Sequence, residues 1–151
     1  MDKWNSVDEV LDFAIKGEEE AIELYRSLAG KVEKPWMKKI FEDFAKEEEG
    51  HQAKLLRVKD GKTLAHAEKK VLDLKIGDYL VEVDPTPDIT YQDALILAMK
   101  REKVAYALYT NLANAVEEQD LKDLFMALAR EEANHKLRFE TEYEEKIQRF
   151  N

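Results

Sequence analysis

Four stretches of this chain carry apolar residues at alternating steps of three and four, the spacing that lays a stripe along one side of an α-helix. The first stripe is Val7, Leu11, Ala14, Ala21, Tyr25 and Leu28, and the second is Met37, Phe41, Phe44, Leu55 and Val58. The third is Tyr91, Leu95, Ala98, Ala105, Tyr109 and Leu112, and the fourth is Leu121, Phe125, Leu128 and Phe139. Ser6-Val7-Asp8-Glu9 reads as a capping box that starts the first helix, which runs to about Ala29 with Gly30 as its stop. Pro35 suits the first turn of the second helix, which ends before Gly61. Thr90, with Asp93 as the capping-box acid, opens the third, and the fourth covers about Asp120 to Gln148. The pattern predicts an all-α four-helix bundle in one domain over residues 1–151.

The halves of the chain repeat. Leu11/Leu95, Ala14/Ala98, Ala21/Ala105, Leu24/Leu108, Leu28/Leu112, Phe41/Phe125, Ala45/Ala129 and Glu47/Glu131 all recur at an offset of 84 (95 − 11, for example). A duplicated helical hairpin is expected, about 6–60 and about 90–149, and one hairpin cannot bury its apolar face alone. Residues 61–89 between them show no clear period. A connection that long needs a reason, and a crossover supplies it. Helices of ~25 residues are ~37 Å long, a distance that ~11 extended residues cover. The apolar residues Val71, Leu72, Leu74, Ile76, Tyr79, Leu80, Val81 and Val83 are expected to cover a helix surface on the way, with a short helix around Leu64 to Lys75. Pro85 and Pro87 keep the chain extended before the third helix.

Each apolar stripe is interrupted near its middle by a glutamate. The interruptions are Glu18 and Glu102 in the first and third helices, and Glu48-x-x-His51 and Glu132-x-x-His135 in the second and fourth. The differences 102 − 18, 132 − 48 and 135 − 51 all equal 84. Buried carboxylates at one depth are expensive singly and repel one another together. Two divalent cations remove the difficulty, because four carboxylates and two neutral imidazoles match their charge. The i, i+3 spacing puts Glu and His on one helix face, where both reach one metal region. Tyr25 and Tyr109, seven residues after Glu18 and Glu102, are core tyrosines whose hydroxyls need partners; a carboxylate on the facing helix is the candidate. Glu19, Glu20, Glu23, Glu47, Glu49 and Glu131 read as solvated helix faces, His66 as an exposed linker residue, and Trp4 and Trp36 as packing residues.

Composition narrows the chemistry further. A formal net charge of −9 argues against general nucleic-acid binding. The absence of cysteine excludes disulfides, iron–sulfur clusters, zinc–thiolate sites and cysteine nucleophiles, so any metal must be held by oxygen and nitrogen. The N-terminal MDKWNSVDEVLDF has no signal-like apolar run, and no stretch approaches the ~18 apolar residues of a membrane span. A soluble cytoplasmic protein is the expectation.

At GEEEAIELY around Glu18, KEEEGH around Glu48 and His51, REKVAYALY around Glu102 and REEANH around Glu132 and His135, the chain resembles the ferritin-like di-iron carboxylate superfamily, and within it the rubrerythrin-like proteins. The resemblance covers nearly the whole chain. It implies that Glu18 and His51 hold one iron, Glu102 and His135 the other, and that Glu48 and Glu132 bridge them. Zinc or manganese can fill the same ligands. Two departures stand out. Rubrerythrins carry a rubredoxin-like domain with four cysteines, whereas this chain has none and is expected to lack a built-in electron-transfer module. They also carry an extra glutamate where this chain has Ala105, leaving a six-ligand set similar to that of bacterioferritin. The resemblance implies a di-iron oxidoreductase that reacts with hydrogen peroxide or dioxygen, with Tyr25 and Tyr109 beside the site. An external electron donor, such as a rubredoxin-like protein, and a homo-oligomer, most simply a dimer, go with it. An iron-storage cage subunit, a di-iron hydroxylase of an organic substrate and a non-catalytic metal-binding module are the alternatives.

Overall fold

A computed structural model describes residues 7–61, 88–116 and 119–147. Four α-helices follow one another: α1 (Val7–Lys31), α2 (Pro35–Gly61), α3 (Tyr91–Ala115) and α4 (Gln119–Lys146). Their ends have local causes. Thr90 caps α3, its hydroxyl accepting from the Asp93 amide at 3.1 Å. Pro35 opens α2, where the Lys34 carbonyl accepts from the Met37 and Lys38 amides. At the hairpin turns Lys38 Nζ donates to the Ala29 carbonyl (3.2 Å) and Lys122 Nζ to the Ala113 carbonyl (3.0 Å), each satisfying an orphan carbonyl at a helix C-terminus. The two clamps are related by the same offset of 84 (122 − 38 and 113 − 29).

Gly30 does not stop α1. The helix continues to Lys31, and the Val32 amide still bonds to the Leu28 carbonyl. Gly30 keeps a right-handed backbone with open space beside it, so nothing at that position turns the chain. Helix α4 likewise closes at Lys146. Ser6, Trp4, His66 and the apolar residues and short helix expected between 62 and 87 lie outside the described residues. Trp36 packs edge-on against Tyr91 at 5.5 Å, yet stays 39% exposed.

Helix α1 packs along α2, and α3 along α4, with α1 and α3 also in contact. The stripes meet in two apolar clusters. One gathers Leu11, Leu55, Tyr109, Leu112, Leu121, Phe125 and Leu128. The other gathers Tyr25, Leu28, Phe41, Phe44, Leu95 and Phe139. The first therefore joins the start of α1 and α4 to the end of α2 and α3, so α1 and α4 run one way and α2 and α3 the other. Helix α2 ends and α3 begins at opposite ends of the bundle, which is the crossover topology. Full burial of such Leu and Phe side chains contributes about 1.5–3 kcal/mol each. Among the described residues, no helix is long and apolar enough to cross a membrane. Between the two clusters lies a polar layer, where the glutamates interrupt the stripes.

Candidate metal centre

In that layer Glu18, Glu48, Glu102 and Glu132 are fully buried, and His51 and His135 nearly so. All six residues singled out in the sequence come together. Glu18, Glu48, His51 and Glu132 each offer an atom within 4.8 Å of the others, and so do Glu48, Glu102, Glu132 and His135. Glu48 and Glu132 belong to both sets.

Both imidazoles turn Nδ1 inward. His51 Nδ1 lies 2.9 Å from Glu132 Oε1, 3.6 Å from Glu48 Oε2 and 3.8 Å from Glu18 Oε2. His135 Nδ1 lies 3.0 Å from Glu48 Oε1, 3.6 Å from Glu102 Oε2 and 3.7 Å from Glu132 Oε1. The rings are parallel, 5.8 Å apart. The outward nitrogens face carboxylates on the opposite hairpin: His51 Nε2 is 2.5 Å from Glu131 Oε2, and His135 Nε2 is 3.0 Å from Glu47 Oε2. A carboxylate there favours the tautomer that keeps the proton on Nε2 and frees the inward Nδ1 pair for a cation.

The tyrosines also cross between hairpins. Tyr25 donates to Glu102 Oε1, and Tyr109 donates to Glu18 Oε1. Burial and the neighbouring carboxylates push both phenols up, so each stays a donor. Each bond occupies one carboxylate oxygen and leaves Oε2 of Glu18 and Glu102 without a partner.

A cation completes the layer. Arg101 is 8% exposed, and its Nη2 donates to the Gly17 carbonyl at 3.0 Å. The guanidinium stands 3.9 Å from Glu18 Oε1 and 3.7 Å from Glu132 Oε2. Burial disfavours its charge, but the four carboxylates outweigh that and hold it protonated.

Without metal, the layer holds its charge by sharing protons. Burial and then the Glu48 charge raise Glu18 well above the usual carboxylate range; burial and then Glu102 and Glu48 raise Glu132. Burial works against the Glu48 anion too, yet the neighbouring Glu18 carboxyl and the His135 and His51 imidazoles hold it well below that range. Burial opposes the His135 cation, but hydrogen bonds and charges from Glu102 and Glu48 raise it to about 10.

The donor set fits a metal pair. Glu18 Oε2, Glu48 Oε2, Glu102 Oε2, both oxygens of Glu132 and His51 Nδ1 are buried without a hydrogen-bond partner, a concentration that ordinary interiors avoid. All are ligand atoms for hard or borderline cations, and all face one another.

Three residues here were not singled out in the sequence for this role. Glu47 and Glu131 are not merely solvated: half-exposed, they reach across to the opposite hairpin's histidine. Their recurrence at the offset of 84 was the available signal. Arg101 breaks the repeat, since its counterpart at 101 − 84 is Gly17. It also changes the charge count, because the carboxylates' −4 is partly met by +1 from the protein itself.

Comparison with known proteins agrees with this geometry. A hypothetical protein from Pyrococcus furiosus superposes with a TM-score of 0.71 at 29% identity, over 93% of this chain and 89% of its own. A Thermotoga maritima protein described as ferritin-like diiron-carboxylate superposes with a TM-score of 0.72 at 23% identity, over 97% of this chain and 96% of its own, a likeness of fold. No curated protein matches the chain significantly. The sequence model of the family described as Rubrerythrin matches residues 9–143, which reaches into all four helices and takes in every residue of the polar layer. The chain belongs to the rubrerythrin family.

Proposed function

We propose that this protein is a di-iron oxidoreductase that reduces hydrogen peroxide or dioxygen with electrons from an external donor. The observation that carries the proposal is the layer of buried donors without partners, arranged as two overlapping sets. Glu18 and His51 would hold one iron and Glu102 and His135 the other, with Glu48 and Glu132 shared between them. Bound there, iron would supply one-electron redox chemistry between its ferrous and ferric states.

The chain's own residues set the conditions for that chemistry. Tyr109 and Tyr25 fix the orientation of Glu18 and Glu102 by holding one oxygen of each. Glu131 and Glu47 set a carboxylate beside each outer imidazole nitrogen, which favours a proton there and offers Nδ1 inward. The apolar clusters above and below exclude water and keep the layer at low dielectric, where charge changes are felt strongly. Carboxylates suit a redox centre because they tolerate both oxidation states. Soluble electron carriers such as a rubredoxin-like protein fit the donor role, since the chain has no cysteine of its own.

The test is anaerobic loading with Fe²⁺ followed by peroxide or air, with iron counted on the same sample. Two irons per chain and the absorption of an oxidised di-iron centre are expected, with peroxidase turnover when a donor is supplied. Loading without any spectral change on addition of oxidant would sink the reading.

A further inference from the structure

The six donors obey the repeat, but their surroundings do not. On the Tyr25 side the layer is walled by aromatics, with Phe41, Phe44 and Phe139 at ring distances of 5.8–6.3 Å from Tyr25. The positions equivalent to Phe44 and Phe139 on the other side are Leu128 (44 + 84) and Leu55 (139 − 84). There a cavity of about 160 Å³ opens between α1 and α3, lined by Ala14, Gly17, Arg101, Val104, Ala105 and Tyr109 among others. Two further charges line it, Lys16 and Glu20, both exposed and opposite in sign. The cavity's buried charge is therefore the Arg101 guanidinium, which stands within 4 Å of Glu18 and of Glu132. Gly17, its partner in the repeat, adds no side chain and leaves the space open.

We propose that this cavity binds one small monovalent inorganic anion against Arg101 when the adjacent donors hold their metals. The proposal rests on the metal reading above and adds to it the charge and size of what enters. Four carboxylates, one guanidinium and two divalent ions with neutral imidazoles sum to −4 + 1 + 4, or +1, which a monovalent anion neutralises. Without the metals that surplus positive charge is absent, and the Arg101 guanidinium is balanced by the carboxylates it faces. Size agrees, because water occupies ≈ 30 Å³ per molecule, so the space takes an anion of two or three heavy atoms with a few waters. Guanidinium donors suit such an anion, whereas the Tyr109 hydroxyl is already committed to Glu18. Hydroperoxide and superoxide have this charge and size, and azide is a stable probe of the class.

The experiment uses the protein loaded with zinc, which has no redox chemistry, and sodium azide as the titrant in calorimetry. Two zincs per chain and one azide per chain are expected, with no azide heat from the metal-free protein. Arg101→Leu should weaken azide at least tenfold while the zinc count stays at two. Ala105→Leu fills the cavity, leaves Arg101 and all six donors in place, and should weaken azide equally, so the conclusion does not depend on Arg101→Leu folding. Arg101→Lys should retain most of the affinity. A zinc count far below two would overturn both this proposal and the metal reading. Two zincs with no azide binding, or with azide unaffected by Ala105→Leu, would overturn the anion site alone.

Discussion

Removing the metals should reverse the direction in which stability depends on pH. In the metal-free protein His135 is raised from 6.5 to about 10 by Glu102 and Glu48 against the opposing effect of burial. A raised folded-state pKa contributes stability that is complete below 6.5 and is lost as pH rises through about 10. At 1.36 kcal/mol per pKa unit the whole window corresponds to at most about 5 kcal/mol. Glu18 and Glu132, raised by burial and by one another's neighbours, act in the same direction: their protonated forms are favoured in the fold, and ionisation above the ordinary carboxylate range is penalised. Glu48 is lowered, so its contribution is already complete above its unfolded value of 4.5 and does not change at higher pH. Melting of the metal-free protein should therefore fall steadily from pH 5 to pH 9. With metal bound, the imidazoles must be neutral and the carboxylates ionised, so acid competes with the metal and melting should rise over the lower part of the same range. Two sites held at 100 times their Kd stabilise by about 5 kcal/mol, which for a chain of this length shifts melting by roughly 10–20 °C. Thermal melts with chelator and with two equivalents of zinc, in matched buffers, read both slopes. The overall negative charge grows with pH in both samples, so the difference between them isolates the layer. Parallel curves, or a metal-free protein that gains stability as pH rises from 5 to 9, would refute the charge assignment.

Glu48→Ala or Glu132→Ala should drop the metal count from two towards none, whereas Glu18→Ala should retain about one, read by metal analysis after desalting. Glu131→Gln should weaken zinc by roughly 10–100-fold, the effect typical of losing an imidazole's outer partner, measured by competition with a coloured chelator. Tyr25→Phe leaves Glu102 Oε1 without its donor and should lower metal-free stability by about 1–3 kcal/mol in urea unfolding, while an unchanged midpoint would deny that the bond matters. The two zinc affinities should differ by at least tenfold, because the Arg101 charge lies against Glu18, and Arg101→Leu should bring them together; a calorimetric titration with two equal sites in the unaltered protein would contradict this.

The helices and the six donors were legible in the sequence because both follow from periodicity. A stripe at steps of three and four defines which side of each helix is inside, and a glutamate on that stripe is forced into the interior whatever the details of packing. The offset of 84 then places Glu18 level with Glu102, and Glu48 level with Glu132. What periodicity does not contain is the distance and rotation between helices. Arg101 is one residue before Glu102, off the stripe, and is buried where α1 brings the Gly17 carbonyl within its reach. Glu47 and Glu131 also flank stripe residues, and only the approach of α2 to α4 brings each to the other hairpin's imidazole. Which nitrogen of His51 and His135 points inward was likewise beyond the pattern, since it depends on those same carboxylates. Gly30 misled because a glycine near a helix end is a stop only when the chain there turns left-handed, and here it does not.

Duplication and function pull in different directions in this bundle. The repeat preserves what both metals would need alike: the donors, the crossed tyrosine bonds, the outer carboxylates and the lysine clamps at the hairpin turns. It has been broken at Gly17/Arg101, Phe44/Leu128 and Leu55/Phe139, and all three pairs border the polar layer or its walls. Phe44 packs edge-on at 4.6 Å against His135, with the Arg138 guanidinium 4.5 Å over its ring. Leucines, a buried guanidinium and a cavity occupy the corresponding half beside Glu18. A site that served only to hold two cations would gain nothing from this difference, because two equivalent half-sites bind as well as two unlike ones. A site that admits a small reactant beside one of its metals has a use for it. The asymmetry therefore favours the proposed oxidoreductase over simple storage or a structural role more than the ligands do, since storage, structure and catalysis would all share those.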